Sequence, residues 1–194
     1  MVTPFSPTFL VYAKQVERHM VQIDADRNVF PISDSPVSSY WWPEGNTCSV
    51  KHRRGYPLRL TLVGTEMSQP QEWDADVMTA SGDANVWVVP LRPVDYYHAT
   101  RLLKTEYNPE NKAPTPRPVP IRVTPRTSVA RPFPVYDRPL TIRGTTLYDR
   151  PIDPEHVECD DCVLLEVTHH RYGPSLDCKN YFQLERIVRL ANDT

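Results

Sequence analysis

Between Pro109 and Pro154 the chain carries eleven prolines and seven arginines but one glycine, and this density restricts folding more than any other feature. A proline locks its own φ, has no backbone donor and pushes the preceding residue towards extended conformations. The stretch therefore excludes an α-helix, and it reads as a stiff, extended arm that contributes no central strand. It divides the 194-residue chain into three parts: residues 1–108 as the first part of a β-rich core, 109–154 as a Pro/Arg-rich interaction arm, and 155–194 as a C-terminal β-hairpin completing the core.

The hairpin is the plainest local pattern. Residues 162–172 and 181–190 are two apolar-rich runs separated by Gly173, Pro174 and Ser175, with Phe182, Leu184, Val188 and Leu190 expected on one face. A lone hairpin is marginal in water, so its apolar face needs another sheet. Residues 56–93 supply one: Leu58, Leu60 and Leu62 alternate with Arg59 and Thr61, and Val86 and Val88 alternate with Trp87 and Val89. Residues 77–80 read as a further short strand, and Asp95 as the cap of a helix running to about Glu106. For residues 8–23 the clusters FLVY and MVQI favour two short strands. The alternative is a helix from Ser6-Pro7 to Val21, with Phe9, Ala13, Val16 and Met20 on one face. The expected fold is mainly β, a small β-sandwich or barrel with one short helix and the long arm.

Charge sharpens the reading of the arm. The formal net charge is −2, yet Lys112, Arg117, Arg122, Arg126 and Arg131 fall in a run without any acid. The arm also holds an internal repeat: Tyr136-Asp137-Arg138-Pro139 returns as Tyr148-Asp149-Arg150-Pro151. In an extended chain the tyrosine and arginine of each copy share one side, so two copies can present one contact twice. A second contact candidate is Trp41-Trp42, flanked by Tyr40 and Pro43, either a docking or stacking platform or a lid on the core. Lys51 to Arg54 form a basic loop.

Chemistry is poorly represented. Phosphate-cradling glycine motifs are absent from the sequence, and Cys178 or Ser175 near His170 and Asp177 lacks an accompanying elbow or oxyanion loop. Asp24, Asp26 and Asn28 imitate a calcium loop, but Val29 stands where glycine is required and Ser35 where glutamate is required, leaving a solvated turn. Cys159-x-x-Cys162 has the spacing of half a zinc site without a second knuckle, so no metal and no cofactor is expected. No run of about 18 apolar residues is present, so no membrane span is expected. The residues after Met1 carry no basic leader, which argues against a secretory signal.

The leading expectation is a non-enzymatic structural protein of a large symmetric assembly, such as a virion component assembled in a host cytoplasm. In that reading the arm, about 100 Å long if straight, laces neighbouring copies and other structural proteins. Its contact residues are Trp41, Trp42, Arg117, Arg122, Arg126, Arg131, Tyr136, Arg138, Tyr148 and Arg150. The second reading is a nucleic-acid-binding protein using the basic arm and the aromatic cluster. The third is a small cysteine or serine hydrolase.

Overall fold

The computed structural model describes residues 14, 16–42, 47–49, 51–52, 55, 57–66, 86–103, 121–125, 134–137, 150–153, 156–158, 161–172 and 179–191. The fold is mainly β, and its frame is the C-terminal hairpin: β10 (Cys162–Tyr172) antiparallel to β11 (Lys179–Ala191). Alternation explains β10. Val163, Leu165 and Val167 are buried on one face with the main core, while Leu164 faces a second cluster on the other. The hairpin register shifts twice, between Cys162 and Val163 and between Glu166 and Val167. An extra residue in one strand reverses the phase of everything beyond it. Phe182 and Leu184 therefore share the main core with Ile187, whereas Val188 and Leu190 belong to the outer cluster. This corrects the expectation that Phe182, Leu184, Val188 and Leu190 share one face.

The remaining strands close the hairpin into a ring. Along β10, β5 (Arg59–Glu66) pairs antiparallel from Arg59↔Thr168 to Thr65↔Cys162. β6 (Val86–Pro90) pairs antiparallel with the end of β5, and β7 (Ile121–Pro125) with β6. β7 then runs parallel to β11 through Val123↔Phe182. The circuit β5-β6-β7-β11-β10 returns to β5, giving a five-stranded barrel. Within it β10 lies beside β5 in the order β10-β5-β6-β7, a Greek-key arrangement. Leu60, Leu62, Val86, Val88 and Val123 fill the interior with the inward residues of the hairpin.

Three stretches of the Pro/Arg-rich segment belong to this sheet, which overturns its reading as an arm standing off the core. The main correction concerns β7, a central strand whose Val123 is fully buried. Its two ladders are offset: β6 pairs residues 121–123 and β11 pairs residues 123–125. Pro125 therefore meets a neighbour on one side only, and its missing donor is tolerated. β8 (Val135–Asp137) extends the sheet parallel to β11, and β9 (Arg150–Pro151) pairs antiparallel with β8. This places the two copies of the repeat against each other, Tyr136↔Pro151 and Asp137↔Arg150. Residues 104–120, 126–133 and 138–149 lie outside the described residues.

Shorter elements finish the structure. β1 (Val29–Pro31) runs parallel to β5, β3 (Thr47–Ser49) extends β10, and β2 (Tyr40–Trp41) forms a separate pair with β4 (Lys51–His52). Asp24 to Asn28 make a turn in which the Arg27 amide donates to the Asp24 carboxylate at 3.0 Å. Residues 16–21 are helical, not a strand. Helical spacing puts Val16 and Met20 on one face over the outer cluster of Val63, Leu164 and Val188. A period-two chain would also turn Arg18 to that face, but Arg18 is exposed. Helix α1 (Pro93–Leu103) starts at its proline, so Asp95 lies in the first turn and does not cap it. Its carboxylate is buried and held by two 2.7 Å bonds from Arg92, which also donates to Ser33 and to the Met20 carbonyl. Ala99 carries the helix into the barrel core. Among the described residues no helix is long and apolar enough to cross a membrane. The expected strand at 77–80 lies outside the described residues.

Gly64 marks the place where β6 passes closest to β5. A Cβ there would fall on the Val89 carbonyl oxygen and 2.5 Å from a Val88 methyl carbon. The obstacle is partly backbone, which cannot rotate away. Gly64→Ala is expected to cost about 1–3 kcal/mol through overpacking. Urea unfolding tests this, with a lowered midpoint at unchanged slope; an unchanged midpoint would mean β6 does not cross so closely.

A candidate ligand cleft at one end of the barrel

Beyond its pairing with β5, β10 carries His169 and Arg171 two residues apart and so on one face. Asn180, at the start of β11, is the cross-strand partner of Arg171. One turn of α1 brings His98, Arg101 and Leu102 to the same place by i, i+3 and i+4 spacing. Val37, Tyr40 and Trp42 complete the wall. Together they enclose a cavity of ≈ 330 Å³.

Aromatic contacts fix the floor of this cleft. The buried His169 ring meets Trp42 edge-on with centroids 5.2 Å apart, Phe182 at 5.6 Å and Tyr40 at 6.3 Å. The Arg171 guanidinium lies 4.8 Å from the Trp42 ring centroid, within cation–π range. Burial pushes the Tyr40 hydroxyl above its ordinary pKa of 10.0, against a smaller lowering by the Ser35 hydroxyl, so Tyr40 remains neutral and able to donate. Two arginines and two histidines line the cavity, and no carboxylate does among the described residues. Such a lining attracts an anion and offers π-faces to a planar group.

The acids of the barrel are engaged elsewhere. Asp137 accepts from Arg150 at 3.1 Å and from Arg189 at 3.2 Å, and Arg189 also reaches Asp161 at 3.9 Å. Burial raises the Asp161 pKa above the ordinary 3.8 despite lowering by the Glu158 amide and Arg189; the Glu158 and Asp137 charges add to the rise. The folded protein thus holds this proton more tightly than the unfolded chain. The resulting stability is full below 3.8 and is lost as pH rises through the folded value. Asp161→Asn is expected to remove that loss, so the variant gains on the wild type from about pH 4 towards pH 7. Urea midpoints across that range measure it, and a gap independent of pH would refute the account.

The structure disperses the residues expected to make contacts. Trp42 is in the cleft; the Trp41 and Arg122 side chains lie outside the described ones, although their backbones are in β2 and β7. Tyr136 packs against the outer cluster beneath Arg186, at 5.9 Å, and Arg150 is ion-paired with Asp137 on the surface. The repeat therefore pairs with itself at these positions, with the Arg150 side chain still 65% exposed. Arg117, Arg126, Arg131, Arg138 and Tyr148 lie outside the described residues, as do Cys159, Ser175 and Cys178. Cys162 is half-buried against the outer cluster, and among the described residues no group of three or more His, Cys, Asp or Glu could hold a metal ion. His98, Arg101, His169, Arg171 and Asn180 were not singled out from sequence as contact residues. The alternation in Thr168-His169-His170-Arg171 was the available signal, since it puts His169 and Arg171 together. No family model, curated protein or solved structure matches this chain.

Proposed function

We propose that this protein is a non-enzymatic binding module for single-stranded nucleic acid, with a base held in the cleft between Trp42, His169 and α1. The observation that carries the reading is the joint lining of the cavity: aromatic rings, two arginines and two histidines without a described carboxylate. Nonspecific single-strand binders combine these elements, a positive groove for the backbone and aromatic faces for the bases. A five-stranded Greek-key barrel is also the architecture of OB-folds, many of which bind oligonucleotides or oligosaccharides; the likeness is of architecture alone. The alternative of a virion component lacing its neighbours drew on an arm free of the core, and β7, β8 and β9 remove part of that support.

Fluorescence anisotropy of the full chain with a labelled random single strand tests the proposal. Arg101 and Arg171 as the phosphate contacts give a log–log salt slope of about −1.4. Stacking on Trp42 is worth about 1–3 kcal/mol, so Trp42→Ala is expected to weaken binding by about fivefold or more. Absence of salt-sensitive binding up to about 1 mM protein at low salt, beyond the roughly 10⁻⁴–10⁻⁶ M range of non-specific binding, would sink the reading.

A further inference from the structure

The strand pairing sets Asn180 directly across from Arg171, and both side chains line the cleft. The Asn180 amide nitrogen is buried and has no hydrogen-bond partner among the described residues. Native proteins rarely bury amide donors unsatisfied, because the group has given up water and received nothing in return. A ligand edge carrying an acceptor removes that penalty.

Resting on the nucleic-acid reading above, we infer that Asn180 makes the cleft selective for adenine. A carboxamide presents a donor and an acceptor side by side, the complement of the adenine N7 acceptor and N6 amino donor. Guanine instead presents two adjacent acceptors, N7 and O6, which suit an in-plane arginine fork. Arg171 is the arginine nearest Asn180 in the strand register, and its guanidinium is engaged over the Trp42 ring. The ≈ 330 Å³ of the cavity is at the small end of ligand pockets, enough for one base with its sugar. Arg101 on α1 and Arg171 are left for the adjoining phosphate, while Trp42 and His169 bound the base.

The test uses the full chain with oligo-deoxyadenylate, oligo-deoxycytidylate and oligo-thymidylate of about twelve nucleotides, a length within the site sizes of single-strand modules. Adenosine and guanosine monophosphates serve as competitors. The wild type is expected to bind the adenylate strand about tenfold tighter than the pyrimidine strands, the low end of discrimination by one bidentate contact. Asn180→Ala is expected to level the three affinities, and Asn180→Asp to shift preference towards cytosine, whose N4 amino group donates to a carboxylate. Equal wild-type affinities, a preference for guanosine monophosphate, or an adenine preference that survives both substitutions overturns the inference while leaving the binding function intact. Failure of the wild type to bind any of the strands overturns the binding function itself. The Asn180→Asp variant keeps the comparison open should Asn180→Ala not fold.

Discussion

Phe182→Ala is expected to destabilise the protein by about 3–5 kcal/mol, the usual range for removing a buried aromatic ring. Phe182 is fully buried and stands where three strands meet, across from His169 on β10 and Val123 on β7. Those neighbours belong to different strands, and their backbones are held by ladder hydrogen bonds, so the cavity cannot close by moving one of them. Domain stability is typically about 5–15 kcal/mol, so the loss is a large share of the whole. The substitution also removes one of the rings around His169, whose centroid is 5.6 Å from that of Phe182. Oligonucleotide affinity is therefore expected to fall together with stability. Chemical denaturation measures the first effect and anisotropy the second. Phe182→Leu, which keeps most of the volume, should recover most of both. A loss below about 1 kcal/mol for the alanine variant, the level of a surface change, would mean that the ring does not fill the barrel.

Glu166 is the second residue whose loss is expected to be costly. It is buried on the outer face of β10, takes a 2.6 Å hydrogen bond from Arg186, and has Arg27 at 3.7 Å and Arg59 at 4.0 Å. The three arginines are not equivalent. Arg186 is largely buried, its side chain 19% exposed, whereas those of Arg27 and Arg59 are 51% and 40% exposed. Glu166→Ala takes from Arg186 its closest carboxylate while leaving the cation in place, a change that typically costs about 3–5 kcal/mol. Arg27→Ala and Arg59→Ala are each expected to cost less than about 1 kcal/mol, as exposed pairs do. Replacing Glu166 and Arg186 together by apolar residues should recover much of the single-variant loss. A double-mutant cycle with near-zero coupling would show that the pair does not act as a unit.

Several elements were legible locally. Leu58, Leu60, Leu62, Val86 and Val88 occupy the core as their alternation requires. The hairpin was readable because each strand is long and carries a dense run of apolar and aromatic residues, so neither needs a distant partner to identify it. The helix near His98 was readable from its spacing, although its start was misplaced because a proline at the first helical position needs no cap of its own. Residues 16–21 were read as strand because of their β-branched and aromatic neighbours; Val16 and Met20 suit either period, and the exposure of Arg18 between them fits only the helix. The cleft was the least legible feature. Trp42, His98, His169 and Asn180 come from four separate segments, and nothing in any one of them announces the others.

What the sequence by itself determined is that the proline-flanked residues 121–125, 134–137 and 150–153 are extended and that the hairpin needs a cover, because φ restriction and exposed apolar area are properties of short stretches. Only the tertiary structure decided what those extended residues do. An extended chain is one hydrogen-bonding partner away from being a strand, and the partners of β7 lie far off in sequence, in β6 and β11. Proline density forbids a residue paired on both sides at each proline, but not a central strand whose Pro125 is paired on one side alone. The offset of two ladders, which no local pattern encodes, makes residues 121–125 of the expected arm the strand that closes the barrel.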